Sequence, residues 1–255
     1  MAWYSNARYT NHMTSIAFYA WYWAVIAICV VSHFFLGLFS IFSVNFYKTN
    51  RKLARLFIII IAKAMKMKVV VHGIENIPAN KPCIFMANHS SLIDILVMTI
   101  AVPVHFNFMA KKELFWVPFI GLQMVFGGDF LIDRNNPKKA KACLKKVEKR
   151  LKKGWNMLIF PEGTRSVNGD LLPFKGGGFK LAAITGAHIV PCYIRGSDTI
   201  VRKKSMKATP GQVDIYFDRP VVHSKNEASR DDISLLMDQT KQQIQRLLTE
   251  HRSSV

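Results

Sequence analysis

No Asp, Glu, Lys or Arg occurs anywhere between Arg8 and Lys48. A segment so free of charge has two homes, a lipid bilayer or the interior of a soluble core. Acidic residues are scarce in the rest of the chain too: 16 Asp and Glu against 35 Lys and Arg leave a formal net charge of +19 over 255 residues. That excess implies a polyanionic partner, whether nucleic acid, anionic lipid or a phosphorylated metabolite. Cysteine is sparse as well, and Cys29, Cys83, Cys143 and Cys192 show no C-x-x-C spacing. A disulfide framework and a zinc site are thereby disfavoured, and a reducing compartment fits. There is no internal repeat and no low-complexity linker. With 50% hydrophobic and 20% charged residues, intrinsic disorder is excluded.

What is present begins with the uncharged run. SIAFYAWYWAVIAICVVS (Ser15–Ser32) approaches the length a helix needs to cross a bilayer, about 20 residues. It is too long and too aromatic for a signal-peptide core, and no small-residue cleavage site follows it. Tyr19, Trp21, Tyr22 and Trp23 suit a headgroup layer. The continuation FFLGLFSIFSVNF (Phe34–Phe46) is apolar but interrupted by Gly37, Ser40, Ser43 and Asn45. It reads equally as an extension of one long helix or as a second membrane-embedded leg. Lys48, Arg51, Lys52 and Arg55 follow at once, which predicts a cytoplasmic position for everything after them. In a bacterium that would be the inner face of the cell inner membrane. LARLFIIIIAKAM (Leu53–Met65) then reads as a short interfacial helix.

From about Met67 the pattern changes. Strands are predicted at KVVVHG (Lys68–Gly73), CIFMAN from Cys83, HFNFMA from His105, DFLID (Asp129–Asp133), NMLIF from Asn156, HIVPCYIRG from His188 and QVDIYFD from Gln212. Helices are predicted at Ser91–Val102, with Ser90 or Ser91 as cap, at Pro137–Lys153, around Gly178–Thr185 and at Asp231–His251. Alternating strands and helices predict an α/β fold, a mixed sheet flanked by helices, behind an N-terminal membrane-embedded helical segment. The predicted boundary divides residues 1–66 from 67–255.

Four islands carry the chemistry: NHSSLID (Asn88–Asp94), GDFLIDR (Gly128–Arg134), FPEGTRS (Phe160–Ser166) and IVPCYI (Ile189–Ile194). Polar and glycine residues at strand ends are where α/β sheets build sites. His89 is a candidate base, since imidazole titrates near about 6.5, and a carboxylate on its second nitrogen would fix its tautomer. Five residues on one helix subtend about 140°, so His89 and Asp94 share no helical face. They meet only if His89 lies in the turn before the helix and Asp94 in its first turn. In FPEGTRS, Gly163 permits close backbone approach and Arg165 offers a fork for phosphate oxygens. Glu162 could orient that arginine or bind a substrate hydroxyl. Arg134 is a second phosphate ligand, or else a strand-end charge paired with Asp133 or Asp129.

In this order and spacing the islands resemble the four blocks of the glycerolipid acyltransferases, most closely those acting on 1-acyl-sn-glycerol 3-phosphate. The resemblance runs from about Gly73 to Ile194 and includes GIENIP, AKKELFWVPFIG and FKGGGFKLA. One departure is Leu131, where the second block usually carries Phe; Phe130 stands beside it. The resemblance implies transfer of a fatty acyl group from acyl-CoA or acyl-carrier protein to the sn-2 hydroxyl of 1-acyl-glycerol 3-phosphate, or alternatively to another lysophospholipid, glycerol 3-phosphate or an ornithine lipid precursor, with no cofactor and no metal. It makes His89 the general base and Asp94 its orienting partner. Arg134, Glu162, Gly163, Thr164 and Arg165 would hold the phosphorylated acceptor, with Lys111 close to its phosphate, and Pro191 would lie on the acyl-donor side. Neither Ser90 nor Ser91 has the setting of a nucleophile, so direct attack by the lipid hydroxyl is expected, with backbone N–H groups as oxyanion donors.

Two features stay open on sequence alone. The basic helix Lys138–Lys153 is either a solvated face or a contact for anionic headgroups, an acidic carrier protein or coenzyme A phosphates. The Phe115, Trp116 and Phe119 cluster is either core or dips into the bilayer. A nucleic-acid-binding protein would share the high charge, but the uncharged N-terminal span and the lack of any known binding signature disfavour it. A membrane scaffold with a decayed site is disfavoured by the presence together of His89, Asp94, Glu162 and Arg165.

Overall fold

The computed structural model describes residues 3–39, 42, 46–202, 205, 207–223 and 228–252, with side chains described between Ile16 and His251. Two helices come first, α1 (Trp3–Phe39) and α2 (Phe46–Ala64). Ser40, Ser43 and Asn45, the predicted interruptions, lie outside the described residues. The segment expected to form a short helix from Leu53 is the second half of the longer α2. Its extra turns carry Lys48, Arg51 and Lys52 on an amphipathic helix.

A 7-stranded sheet follows. Its strands are β1 (Met67–His72), β2 (Cys83–Ala87), β3 (Phe106–Lys111), β4 (Phe130–Ile132), β5 (Asn156–Ile159), β6 (His188–Arg195) and β7 (Gly211–Phe217). The spatial order is β1-β7-β6-β2-β5-β3-β4. All neighbours are parallel except β6 and β7, so the sheet is mixed, as expected. The flanking helices are α3 (Asp94–Ala101), α4 (Ile120–Phe126), α5 (Pro137–Leu151), α6 (Gly177–Thr185), α7 (Ser197–Ile200) and α8 (Arg230–Arg252).

β2 is central and every one of its residues is buried, which is why CIFMA reads as an unbroken apolar run. Its alternation divides the core. Cys83, Phe85 and Ala87 join a cluster with residues of α2 and α3, while Ile84 and Met86 join Val147, Leu151 and Phe179 on the opposite face. Each such large side chain contributes on the order of 1.5–3 kcal/mol of burial. α5 starts as its sequence dictates: the Asn136 side chain accepts the Lys139 N–H and Pro137 fills the first turn.

α3 is shorter than predicted and has no side-chain cap. Ser91 is drawn elsewhere, its hydroxyl donating to the Val201 carbonyl at 2.6 Å. One turn of 3₁₀ helix (Ile74–Asn76) and α7 gave no periodicity long enough to detect in the sequence.

Helices α1 and α2 are fastened to the sheet domain by polar contacts. Tyr22 accepts the Ala208 N–H at 3.2 Å, and Gln123 donates to the Val30 carbonyl at 2.8 Å. The Arg51 guanidinium donates to Asp129 at 2.6 Å, with side chains 13% and 3% exposed. Asp129 also receives the Phe108 N–H at 3.1 Å. Burial pushes the Asp129 carboxyl above its ordinary value, and Arg51 offsets part of that. Removing the cation would strand a buried carboxylate. Arg51→Ala should therefore cost about 3–5 kcal/mol of stability, read by denaturant titration in detergent.

Candidate active site

Because β2, β5, β3 and β4 run parallel, their carboxyl ends open on one edge of the sheet. β2 delivers His89 there, and the neighbouring β5 delivers Phe160 to Arg165. Asn88 locks the end of β2: its amide donates to the Ile194 carbonyl at 2.9 Å and accepts the Ile194 N–H at 2.7 Å. The side chain thus continues the β2–β6 ladder one step beyond the last strand pair.

His89 sits in the turn before α3, and Asp94 is the first residue of that helix. The predicted meeting occurs: His89 Nδ1 lies 2.7 Å from Asp94 Oδ2. The same oxygen accepts the backbone N–H groups of Ser90 and Ser91, each at 2.9 Å. Asp94 is fully buried, and its Oδ2 gathers these three contacts at the start of the helix. With Asp94 Oδ2 as the acceptor of Nδ1–H, the Nε2 lone pair of His89 is left available. The imidazole stacks on Phe160, at the end of β5, at 4.1 Å and 15°, which fixes the plane of the ring. Its side chain keeps 17% exposure.

Glu162 has a part in the backbone that its neighbours in sequence do not reveal. It is only 2% exposed. One oxygen accepts the His89 backbone N–H at 2.8 Å and the other accepts the Leu172 N–H at 3.1 Å. Each Glu162 oxygen is thus engaged by a backbone donor. Glu162 pins the loop that carries His89. Burial holds its carboxyl above the ordinary glutamate value, partly offset by those two N–H bonds. The Ser166 N–H adds a third tie, donating to the His89 carbonyl at 2.7 Å.

Arg134, beyond the end of β4, donates to the Gly163 carbonyl, joining the second and third islands. It does not pair with either nearby acid, since Asp133 binds Lys112 at 2.7 Å and Asp129 binds Arg51. Its surroundings lower the guanidinium pKa by desolvation, with Glu113 pulling the other way, and it stays charged at physiological pH. Gly163 has φ +68, and a Cβ there would lie 2.9 Å from Lys175 Nζ. Lys175 is thus a further cation beside this turn. Sequence reasoning passed over it, although FKGGG was in view. Thr164 is exposed and Arg165 half-buried in the same turn. Lys111 ends β3 on the same edge, exposed and 3.6 Å from Glu113.

Pro191 is not brought to this edge. It is buried within β6 opposite Met86, and its carbonyl accepts the Asp218 N–H at 2.9 Å. Pairing of β6 with β7 begins only at Cys192, so the missing N–H of Pro191 falls outside the ladder. The Leu131 departure is accommodated by the sheet: Leu131 packs with the core of α2 and α3, while Phe130 packs on the opposite face. All four cysteines are free and buried. Among the described residues no group of three or more His, Cys, Asp or Glu is arranged to hold a metal ion.

Residues 68–195, the span that contains every residue of this site, match the Acyltransferase family model. A 1-acyl-sn-glycerol-3-phosphate acyltransferase of Cocos nucifera is 37% identical over 144 residues, 56% of this chain and 47% of that protein. The 1-acyl-sn-glycerol-3-phosphate acyltransferase alpha of Homo sapiens is 32% identical over 193 residues, 75% of this chain and 68% of that protein. The chain spans about half the length of the plant relatives it matches. In three dimensions it is similar to the 1-acyl-sn-glycerophosphate (LPA) acyltransferase PlsC from Thermotoga maritima, with TM-score 0.80, 26% identity and coverage of 96% and 98% of the two chains. On the matched domain, the shared fold and these relatives, the chain belongs to the acyltransferase family.

Proposed function

We propose that this protein transfers a fatty acyl group from a thioester to the sn-2 hydroxyl of 1-acyl-sn-glycerol 3-phosphate, giving phosphatidic acid. The observation that carries the reading is the His89–Asp94 pair, held at the same sheet edge as the Arg134–Gly163 contact. In the proposed step His89 Nε2 takes the proton of the acceptor hydroxyl as its oxygen bonds to the thioester carbonyl carbon. The tetrahedral intermediate then expels the thiolate, which receives the proton from the imidazolium. Asp94 stabilises that imidazolium without itself taking the proton. Transfer between sulfur and oxygen changes no oxidation state, so the proposal invokes acyl-CoA or acyl-carrier protein as co-substrate and no cofactor.

Arg134 is proposed to exchange its carbonyl partner for the acceptor phosphate, a stronger, charge-assisted acceptor. Arg165, Lys111 and Lys175 add positive charge at the same edge, which supports a phosphorylated acceptor over a neutral one. Glu162, Gly163 and Thr164 shape the turn. We assign Pro191 a part in the sheet beneath the donor side. The proposed division of the chain is a membrane-anchoring region, 1–66, and an acyltransferase domain, 67–255.

α1 includes Ile16–Phe39, which is long and apolar enough to cross a membrane. We place the sheet domain on the cytoplasmic side because Lys48, Arg51, Lys52 and Arg55 follow that helix. The net charge of +19 supports contact with an anionic membrane surface.

In membranes supplied with acyl-CoA and lysophosphatidic acid, His89→Ala should lower phosphatidic acid formation by about 10²–10⁴-fold. Wild-type turnover in that variant would remove His89 from the chemistry. Arg134→Ala should raise KM for the phosphorylated acceptor by about tenfold or more while KM for acyl-CoA stays within about twofold. An equal rise in both would show that Arg134 supports the fold of the turn and not the phosphate.

A further inference from the structure

The connection between β3 and β4 folds as a turn of 3₁₀ helix (Lys112–Trp116) followed by α4. Sequence left its aromatic cluster undecided between core and bilayer. The side chains point outward. Trp116 is 80% exposed, Val125 45%, Leu122 43%, Phe119 40% and Ile120 39%. From Leu114 to Gly128 the only side chain with strong polar groups is Gln123, and it is turned inward onto the Val30 carbonyl. An apolar surface of this kind marks an interaction site.

We infer that this connection, residues 114–125, is a second bilayer-inserted element that seats the mouth of the site at the lipid headgroup layer. The inference rests on the membrane placement proposed above and adds to it a segment of the sheet domain itself. Continuity with α1 favours lipid as the occupant. Phe34 of α1 packs edge-on against Phe119 at 5.2 Å and on Phe126 at 6.5 Å. Exposed Phe35, Leu36 and Phe39 of α1 carry the apolar surface onward. Whatever medium bathes that part of α1 bathes α4 as well.

The backbone is built to present these rings. Phe119 has φ +63, a conformation costing about 1–3 kcal/mol for a non-glycine residue. The next turn closes so tightly that a Cβ on Gly121 would lie 1.9 Å from the Phe115 carbonyl oxygen. An aromatic side chain in such a position, half out of the protein, is a feature that packing alone does not call for. At the other end Lys111 and Lys112 stand at the start of the segment, where anionic headgroups would meet them. Lys112 also binds Asp133, next to Arg134. Insertion of Trp116 would therefore hold Arg134 at the depth of the acceptor phosphate and let the lysolipid enter sideways from the bilayer.

The test uses full-length protein in vesicles of phosphatidylglycerol and phosphatidylcholine. An environment-sensitive NBD label is placed at Trp116→Cys, with Trp21→Cys on α1 and Val222→Cys, 56% exposed beside α8, as references. The native cysteines are buried and do not compete. Label at 116 should shift to the blue and be quenched by doxyl lipids as at 21, with no change at 222. Label at 116 behaving as at 222 while 21 is quenched would overturn this inference and leave the membrane placement standing. No quenching at 21 would overturn both. Concentration-dependent self-quenching at 116 without lipid would mean a second copy covers the patch, against the inference. Trp116→Glu should raise apparent KM for vesicle-embedded acceptor by about tenfold, with unchanged turnover of a short-chain soluble acceptor. Equal kinetics on both acceptors would also overturn it.

Discussion

A single buried carboxylate organises this site. Asp94 is fully shielded from water and its Oδ1 has no hydrogen-bond partner among the described residues, so its stabilisation falls on Oδ2. One of its oxygens gathers the Ser90 and Ser91 N–H groups and the His89 ring. That demand dictates the turn between β2 and α3, the start of the helix and the face His89 turns outward. Glu162 repeats the device one strand over, holding the His89 and Leu172 backbones instead of a side chain. Two buried acids therefore fix one imidazole, one through its ring and one through its main chain.

The parallel arrangement makes this convergence possible. Strand ends far apart in sequence, after Ala87, Lys111, Ile132 and Ile159, emerge on a single edge because their strands share a direction. The N-terminal helices are tied to the same frame. Arg51 of α2 reaches Asp129, at the start of β4, and β4 ends just short of Arg134. α2 and the Arg134 guanidinium are thus joined through one short strand.

Much of this was legible in the chain. The strands are short, β-branched or wholly apolar runs bounded by turn residues, and the seven expected positions match the seven observed. The His89–Asp94 spacing allowed one geometry of contact, turn before helix and first turn, and that geometry is found. Helix boundaries fared worse. Ser91 looked like a cap, yet its hydroxyl answers to Val201, a partner no local pattern reveals. Glu162 could be read only against its neighbour Arg165, whereas the structure adds backbone donors from His89, after β2, and from Leu172, which no local pattern reveals. Pro191 read as a site residue because its island is one of four, whereas the strand buries it.

The division has a physical basis. Periodicity, capping chemistry and charge are local properties, so the sequence by itself determined the α/β class, the uncharged N-terminal helix, the basic surface and the residue types of the four islands. Contacts between strand ends depend on sheet order, which no local pattern encodes. Only the tertiary structure decided that β5 lies beside β2, that Arg134 meets Gly163, and that Glu162 faces inward. It also decided the Trp116 cluster, because whether an apolar side chain is core or surface depends on what the rest of the chain leaves uncovered.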